Sequence, residues 1–325
     1  MYDDDILTNP AVSILLPVRN EEDFIDQTLK SILNQDFPKE KLELVIADGD
    51  SSDGTIVAIN KLKKEFINLK ILHNKHKTMP KGFNLALNYS KSDIVLMLGG
   101  HSIMPKNYIS KSVENLKNYD SSCAGGVIQP IGDGFWGNVI AKSISSVFGV
   151  GNVTFRVKNS KSGYVNSIPF GCYKRSVFDI IGELDEELIR NQDDEFNFRM
   201  TQSGYKIWQD SSLVIKYFCR LSLKKLFNQY FQYGLYKVRV IQKRKALISF
   251  RHIIPSLFLI SLFIPTISIY VILAYVLLGS FFSIKINKFN IIKLIACQIT
   301  FFIIHFSYGL GFLFGQFKFI KNWKK

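Results

Sequence analysis

The stretch from Leu42 to Thr55, LELVIADGDSSDGT, limits the possible folds of this chain more than any other part of its sequence. It begins with an apolar run that lacks helical spacing, which is typical of a strand buried in a parallel sheet. The run ends in a loop of Asp, Ser and Gly, residues that form tight turns and cap helices. Because apolar positions at helical spacing follow, the stretch predicts an open α/β sheet, which binds ligands at the carboxyl ends of its strands. A well-capped turn without a ligand would show the same pattern.

Three more apolar runs predict neighbouring strands, at residues 11–18, 69–72 and 93–98. Helical patterns separate these runs, and strand–helix alternation at this spacing predicts βαβ units with right-handed crossovers. We therefore expect a Rossmann-like, mainly parallel central sheet over about residues 10–105, followed by a mixed segment at 106–220.

An acidic helix is predicted near the end of the mixed segment, in NQDDEFNFRMTQSGY from Asn191 to Tyr205. Acidic residues open this helix and Gly204 closes it. Because the helix dipole favours negative charge at the start of a helix, capping alone would explain Asp193 and Asp194. The pattern leaves open whether either carboxylate has a chemical role.

The chain changes in character after about residue 220. Residues 221–245 combine a helical apolar stripe with many Lys and Arg side chains, which predicts a basic amphipathic helix on a membrane surface. Residues 252–284 contain no charged side chain. As one helix they would be about 50 Å long, against a hydrocarbon core of ~30 Å. Pro265 near the middle therefore favours two short helices over one long helix.

Residues 294–314 predict a membrane-spanning segment of about 20 residues. A Gly311-x-x-x-Gly315 pattern within it lets helices approach closely. Basic segments at Lys285–Lys293 and Lys318–Lys325 flank it, so the distribution of positive charge leaves open whether the chain has two or three spans. The expected organisation is an α/β domain at 1–220, amphipathic interfacial helices at 221–250 and a transmembrane region at 251–325.

The net charge of +14 indicates an anionic partner, such as a membrane surface, a nucleic acid or a phosphorylated substrate. No nucleic-acid recognition motif accompanies the cations, which cluster beside the apolar C-terminal part, so we expect no nucleic-acid binding. Four scattered cysteines without a CxxC pair argue against a disulfide framework or a zinc site. The acidic N-terminus has no apolar core, so no signal peptide is expected.

Several motifs together resemble a known enzyme family. VSILLPVRNEEDFIDQTLKSILNQDFP, IADGDSSDGT, SDIVLMLGGHS and NQDDEFNFRMTQSGYKI resemble the family 2 glycosyltransferases of GT-A fold. FGVGNVTFR, VNSIPFGCYKRSVFDIIGELDEE and QYFQYGLYK are similar to the succinoglycan-type exopolysaccharide glucosyltransferases. The resemblance covers about residues 11–250. It implies a GT-A domain, followed by an interfacial amphipathic helix and C-terminal transmembrane helices.

The resemblance implies a nucleotide-sugar donor bound at the strand-end loops. Asp48 matches the aspartate that recognises the uracil of a UDP-sugar, and Asp53 lies in the same loop. The residues implied on the donor side are Pro17, Asn20, Glu21, Asp48, Asp50, Asp53 and Gly100.

The resemblance also implies a general base. Asp193 matches it, and Arg199 completes the same motif. Sugar transfer with inversion needs a carboxylate that takes the proton of the acceptor hydroxyl, and positive charge on the departing diphosphate. The residues implied on the acceptor or diphosphate side are Arg199, Gln229, Tyr230 and Lys237.

The chain departs from the family pattern where the family holds a divalent metal. The DxD position has become Gly99-Gly100-His101, so both aspartates are absent. His101 is a candidate ligand for Mn²⁺, which accepts imidazole more readily than Mg²⁺ does. Asp50, backbone carbonyls, water or the donor phosphates would complete the site. Alternatively, Lys or Arg replaces the metal.

We expect a membrane-anchored, inverting hexosyltransferase that moves a sugar from a nucleotide-sugar, a UDP-hexose in the first instance, to a lipid-linked or polysaccharide acceptor. It would act in exopolysaccharide or cell-surface glycan synthesis, alone or in a polysaccharide-synthesis complex.

We expect a multi-pass protein of the cell membrane, with its catalytic domain in the cytoplasm. The alternative is a catalytically degenerate, glycosyltransferase-like binding subunit, which the loss of DxD motivates.

Overall fold

A computed structural model describes residues 11–62, 65–66, 68–151, 153–156, 160–246 and 250–324, without the side chains of 323 and 324. The first ten residues, to which the signal-peptide prediction applies, lie outside this part. Internal contacts divide the chain into two compact units, Met1–Gln129 with Asn159–Tyr217, and Pro130–Lys158 with Phe218–Lys325. The second unit thus includes a segment that we assigned to the catalytic domain, and the functional boundaries at 220 and 250 stay a prediction.

The strands are β1 Val12–Val18, β2 Leu42–Asp48, β3 Leu69–His73, β4 Ile94–Met97, β5 Ser102–Ile103, β6 Cys123–Ile131, β7 Gly163–Val165, β8 Cys172–Lys174 and β9 Ile207–Phe218. The helices are α1 Ile25–Leu33, α2 Thr55–Leu62, α3 Met79–Tyr89, α4 Tyr108–Asn118, α5 Gly134–Ser143, α6 Val147–Val150, α7 Arg175–Ile181, α8 Gln192–Gln202, α9 Leu223–Arg244, α10 Ile254–Ser261, α11 Pro265–Asn287 and α12 Ile291–Lys318. Short 3₁₀ helices lie at Lys39–Lys41, Phe250–His252 and Ile320–Lys324.

The first unit contains the predicted parallel sheet. Strands β2, β1 and β4 pair in parallel, and β3 pairs in parallel with β2. The register sets Val18 opposite Asp48, so that β1 and β2 end at the same level. Asp48 in turn stands opposite His73 at the end of β3. The predicted common edge of carboxyl ends is confirmed for these strands.

The complete sheet is more mixed than the expected mainly parallel one. Its order is β3-β2-β1-β4-β8-β6-β9-β5, with β7 beside β9. Strand β8 is antiparallel to both β4 and β6, and β5 and β7 are antiparallel to β9. All of these strands except the two-residue β5 come from the mixed segment at 106–220, in which no individual strand was predicted.

Side chains of alternating strand positions fill two cores, one on each face of the sheet. Ile14 and Leu16 belong to one apolar cluster and Leu15 to the other, and all three are fully buried. Strand β2 divides in the same way, with Ile46 in the first cluster and Val45 in the second. The uninterrupted apolar runs of the sequence therefore correspond to strands covered on both faces.

Helix α12 is the centre of the second unit, and helices α5, α6, α9, α10 and α11 all pack against it. Helix α9 approaches α12 closely, because glycines remove side chains from the contact. A Cβ atom at Gly234 would overlap the backbone of Tyr308. Another at Gly311 would overlap the backbone of Phe231, and one at Gly315 would lie against Leu235. The predicted close approach at the glycine pattern is confirmed, and its partner is the basic helix α9.

Two described helices, α11 and α12, are long and apolar enough to cross a membrane. At ~1.5 Å per residue, the eight-residue helix α10 is too short to do so. The predicted break at Pro265 is confirmed, since α11 begins there. The predicted loop at Lys285–Lys293 is wrong in extent, because α11 continues to Asn287 and α12 begins at Ile291. The side chain of Asn290 caps α12 by accepting from the backbone N–H of Lys293.

We predict that Gly234→Ala destabilises the second unit. Alanine raises helix propensity by about 1 kcal/mol. Overpacking against backbone atoms, which cannot move aside, typically costs about 1–3 kcal/mol. The melting temperature of the detergent-solubilised chain should therefore fall. Lys224→Ala, at an exposed position of the same helix, serves as the control. Equal melting temperatures for the two variants would contradict the close packing of α9 on α12.

Candidate active site

Three segments meet at the carboxyl edge of the parallel strands: residues 17–22 at the end of β1, residues 48–55 from the end of β2 to the start of α2, and residues 99–101 after β4. The first two exchange hydrogen bonds in both directions. The backbone N–H of Asn20 donates to Ser51 Oγ at 3.0 Å, and the side-chain Oδ1 of Asn20 accepts from the backbone N–H of Ser52 at 2.9 Å. The loops therefore depend on each other for their backbone partners.

The same exchange continues toward helix α2. The Glu21 amide donates to Thr55 Oγ1 at 2.8 Å, and the Glu22 amide donates to Asp53 Oδ2 at 3.2 Å. In return, the Gly54 amide donates to Glu22 Oε2 at 2.7 Å. The Glu22 and Asp53 carboxylates each accept from the opposite loop, so the predicted donor residues Asn20, Glu21 and Asp53 lie together.

Asp48 and Asp53 shape the loop after β2. Ser51 donates to Asp48 twice, through its hydroxyl at 2.6 Å and its amide at 3.1 Å, and Asp48 is only 7% exposed. Burial opposes ionisation of Asp53, but hydrogen bonds from Thr55 and Glu22 outweigh it and lower the pKa of its carboxyl. Ionised carboxylate oxygens accept more than one hydrogen bond, so both aspartates keep acceptor capacity for a ligand.

Asp50 stands apart from these contacts. Its carboxylate pairs with Lys77, which follows β3, and this ammonium lowers the pKa of the Asp50 carboxyl. Asp50, Lys77 and Asn20 all have positive φ, at 62°, 61° and 53°. Such backbone conformations cost of order 1–3 kcal/mol for residues other than glycine and concentrate at functional sites. The strained positions here all lie at the strand-end loops.

The third loop brings His101 to Glu21. The His101 Nδ1 and Glu21 Oε1 atoms are 2.9 Å apart, and each side chain is 18% exposed. The imidazole also packs edge-on against Tyr217, at 4.9 Å between ring centroids. Gly100 leaves room for this approach, since a Cβ there would lie 3.0 Å from Glu21 Cγ.

The Glu21–His101 pair fits one protein ligand for a divalent cation. A metal-binding histidine commonly donates its second ring N–H to a carboxylate, which fixes the tautomer and leaves the other nitrogen to bind. Glu21 at Nδ1 would leave Nε2 for that task. The described residues contain no group of three or more His, Cys, Asp or Glu side chains that could hold a metal. A divalent cation held by His101 would therefore need most of its ligands from the substrate.

Helix α8 brings Asp193 toward the same edge. Its first turn contains Asp193, Asp194 and Glu195. Gln192 Nε2 contacts the sulfur of Met79 at 3.1 Å, and Met79 starts α3, just beyond β3. Burial, Cys123 and then the Asp193 carboxylate raise the pKa of Tyr173, which places Asp193 near β8. The predicted acidic helix is confirmed.

The rest of α8 is fixed in the core. Phe196 and Met200 are fully buried, and so is Asn197, which accepts from the Tyr173 hydroxyl and donates to the Ile168 carbonyl at 3.0 Å each. A first turn that carries carboxylates is thus attached to a helix whose following turns are packed in the core.

Arg199 has protein partners at each of its guanidinium nitrogens. It donates to both oxygens of the fully buried Glu195, at 2.8 and 3.2 Å, and to the carbonyls of Ile181, Gly182 and Glu183. These contacts hold α8 to the segment after α7. The prediction that Arg199 serves the acceptor or diphosphate side stays untested, and its donors are directed into the protein.

The other predicted acceptor-side residues belong to the second unit. Gln229 donates to the Tyr233 hydroxyl at 3.0 Å along helix α9. Tyr230 and Lys237 are buried, at 6% and 4% exposed. Their role stays a prediction.

Sequence reasoning missed several residues that build the site. Thr55, Ser51 and Glu22 hold the two loops together, and Lys77 neutralises Asp50. Ser51 and Thr55 carried a signal, because Ser and Thr form turns and cap helices. The Glu195–Arg199 pair was also visible at i, i+4 spacing.

Sequence comparison identifies relatives of the chain. The family model described as "Glycosyl transferase family 2" matches residues 13–181, more than half of the chain. The chain is 30% identical over 317 residues to the dolichyl N-acetyl-alpha-D-glucosaminyl phosphate 3-beta-D-2,3-diacetamido-2,3-dideoxy-beta-D-glucuronosyltransferase of Methanococcus voltae, covering 94% of this chain and 97% of that protein. It is 25% identical over 253 residues to the succinoglycan biosynthesis protein ExoA of Rhizobium meliloti, covering 77% and 76%.

Solved structures share the fold at low identity. The mannosyltransferase PcManGT from Pyrobaculum calidifontis, in complex with GDP-Man and Mn²⁺, matches with a TM-score of 0.60 at 16% identity, over 93% of this chain and 87% of that one. S. aureus TarS 1–349 in complex with UDP-GlcNAc matches with a TM-score of 0.53 at 16% identity, over 94% and 91%. The predicted GT-A fold is confirmed.

We predict that Arg199→Met lowers the free energy of unfolding by about 3–5 kcal/mol, because it leaves the buried Glu195 carboxylate without its partner. Urea unfolding of the detergent-solubilised chain measures this loss. The double variant Glu195→Gln/Arg199→Met should lose less than the sum of the two single changes. An Arg199→Met protein of unchanged stability but raised KM for the donor would instead make Arg199 a substrate ligand.

Proposed function

The chain belongs to glycosyl transferase family 2, and on that premise we propose that it is an inverting hexosyltransferase that uses a UDP-hexose and a lipid-linked or glycan acceptor. The observation that carries this proposal is the juxtaposition, at one sheet edge, of the Asp48–Thr55 loop with the loops of Glu21 and His101. Helix α8 begins beside the start of α3 and adds Asp193. In this proposal, loops and a helix of one unit would supply both the nucleotide site and the base.

Asp48 and Asp53 provide acceptors for the nucleotide. Uracil and ribose present N–H and O–H donors, which ionised carboxylates accept well. Pro17, Asn20 and Asp50 border the same loops. The bound state of the neighbouring S. aureus TarS 1–349 contains UDP-GlcNAc, which supports a UDP-sugar for this fold.

The transfer forms one bond and breaks another. The acceptor oxygen attacks the anomeric carbon from the face opposite the diphosphate, while the bond from that carbon to the diphosphate oxygen breaks. The hydroxyl proton passes to the Asp193 carboxylate, and the nucleoside diphosphate leaves with the bonding electrons. The protein's part is to orient the acceptor hydroxyl against this proton acceptor.

A divalent cation, Mn²⁺ or Mg²⁺, would bind with the donor diphosphate, and His101 would be its protein ligand, oriented by Glu21. Its chemistry would be to neutralise charge that develops on the diphosphate. The neighbouring Pyrobaculum mannosyltransferase was solved with Mn²⁺ and GDP-Man, which supports this assignment.

The acceptor and location follow from the relatives and the second unit. The Methanococcus relative is named for a dolichyl-linked sugar phosphate and the Rhizobium relative for succinoglycan biosynthesis, so we propose a lipid-linked or polysaccharide acceptor in cell-surface glycan synthesis. Exposed apolar side chains on α11 and α12 support attachment to the cell membrane. The catalytic unit would face the cytoplasm, where nucleotide-sugars are made, alone or within a polysaccharide-synthesis complex.

A second candidate is a glycosyltransferase-like binding subunit without turnover. The glycines at 99 and 100, which carry no ligating side chain, favour it. It predicts UDP-sugar binding without consumption.

We predict that Asp193→Asn lowers turnover ~10²–10⁴-fold, because the proton acceptor is lost. Membranes that contain the chain are first screened with UDP-glucose, UDP-galactose, UDP-GlcNAc and GDP-mannose to identify the donor. UDP affinity should persist, and stability should change by less than ~1 kcal/mol, since Asn resembles Asp at a helix start. Asp194→Asn is the matched control and should be much milder. Normal turnover by both variants would show that the base lies elsewhere, and no turnover with any donor would favour the binding subunit.

We predict that Mn²⁺ tightens UDP binding and that His101→Ala removes this enhancement, measured by calorimetry with and without the metal. Glu21→Gln should weaken the metal-dependent part about 10–100-fold, the usual effect of losing the partner of a ligating histidine. The exposed His76 of a neighbouring loop supplies the control His76→Ala. UDP binding that does not respond to Mn²⁺ in the wild type would rule out His101 as a ligand.

A further inference from the structure

The second unit contains a cavity of about 420 Å³ between helix α5 and the turn that joins α11 to α12. Phe135, Asn138, Val139 and Lys142 line it from α5, and Asn287 and Lys293 line it from the other side. The proposed function gives this cavity no role.

Asn287 is the unusual residue of the cavity. It is only 9% exposed, and neither its Oδ1 nor its Nδ2 atom has a hydrogen-bond partner within the described part of the chain. Ser283, one helical turn earlier, is fully buried, and its hydroxyl oxygen also has no hydrogen-bond partner among the described residues. A buried polar group without a partner is costly and rare in native proteins, so a side chain of this kind on a cavity wall indicates a missing ligand.

The charge around Asn287 favours an anion. Lys142 and Lys293 face the cavity from its two sides, and the residues that line it include no carboxylate. Within the described residues, neither ammonium takes part in an ion pair. Lys293 also stands in the first turn of the 28-residue helix α12, where backbone N–H groups and the helix dipole favour negative charge.

The same cavity has an apolar side. Phe135 is 43% exposed, and Val139 is buried beside it. At the adjoining turn Phe289, Ile291 and Ile292 are 83%, 66% and 66% exposed. A ligand that joins an anionic group to a hydrocarbon chain would satisfy both surfaces.

We propose that this cavity binds the phosphate group of an amphiphile, with its oxygens held by Lys142, Lys293 and the Asn287 amide and its hydrocarbon chain on the apolar surface of the α11–α12 turn. Phosphate suits the site because it presents several acceptor oxygens to two ammonium groups and an amide N–H. The ligand is either a membrane phospholipid, a phosphate diester, or a prenyl phosphate, a monoester. The inference rests on the proposed membrane attachment of the second unit but not on sugar transfer.

The full chain, purified in an uncharged detergent, is titrated in the calorimeter with farnesyl phosphate, farnesol, dioctanoyl phosphatidylglycerol and inorganic phosphate. We expect at least one phosphate amphiphile to bind, and we expect the affinity of farnesol to be lower by a factor of at least about 10. The double variant Lys142→Gln/Lys293→Gln should lose about 10–100-fold in affinity, as expected for two charge-assisted hydrogen bonds. The matched control Lys285→Gln/Lys288→Gln removes two exposed cations at the end of α11 and just after it that do not line the cavity, and should change affinity less than about twofold.

Tighter binding of the monoester or of the diester identifies the source of the phosphate, and either result supports the site. If the two double variants lose the same affinity for the phosphate amphiphile, binding reflects only general attraction between basic residues and anionic lipid, and the proposal fails. Farnesol that binds as well as farnesyl phosphate, or inorganic phosphate that binds as tightly as the amphiphiles, would also overturn the proposal.

Asn287→Leu provides a second test. If the amide serves a ligand, its replacement should leave the melting temperature of the chain unchanged or higher while it weakens the phosphate amphiphile about 10-fold, because no protein hydrogen bond is lost. A lower melting temperature with unchanged lipid affinity would make Asn287 structural and refute its role. Transfer from the donor is assayed separately: a chain that binds the amphiphile without turnover contradicts the proposed function alone, and one that turns over without this binding contradicts the cavity site alone.

Discussion

Hydrogen bonds that run in both directions between the loops after β1 and β2 hold the candidate active site together. Asn20 gives an amide N–H to Ser51 and receives one from Ser52, and Glu22 is both donor to Asp53 and acceptor from Gly54. Since the partners lie about 30 residues apart in sequence, neither loop can complete its own hydrogen bonds. The parallel register of β1 and β2 brings them level, so the site depends on the sheet.

This exchange also explains how unfavourable backbone conformations persist there. Asn20 and Asp50 both have positive φ, which the hydrogen bonds of Asn20 and the ion pair from Asp50 to Lys77 offset. The result is a preorganised set of carboxylates, and preorganised groups need no rearrangement when charge develops in a reaction. The Glu21–His101 contact extends the same network to the third loop.

Local pattern predicted the parts of the molecule that local chemistry determines. Apolar runs identified β1 to β4, the Asp-Ser-Gly loop identified the carboxyl edge, and the acidic start of α8 was recognised. Long-range partners left no such trace: nothing around Lys77 indicates Asp50, and nothing around Phe231 indicates Gly311. For the same reason the segment from Pro130 looked like part of the catalytic domain, because its apolar helix does not reveal that it packs on α12.

The packing of α12 restricts how the second unit can meet a membrane. Cys297, Phe301 and Ile304 are buried, and Gly311 and Gly315 continue the same face against α9. The opposite side carries exposed apolar side chains along its length: Ile295, Ile299, Phe302, Leu310 and Phe314. In the proposed membrane attachment, this open face would contact lipid together with exposed apolar side chains of α10 and α11, while the basic helix α9 packs against the other side of α12. Since lysine stems can cover apolar surface while the ammonium stays in water or among headgroups, α9 can border the bilayer without burying isolated charge in it.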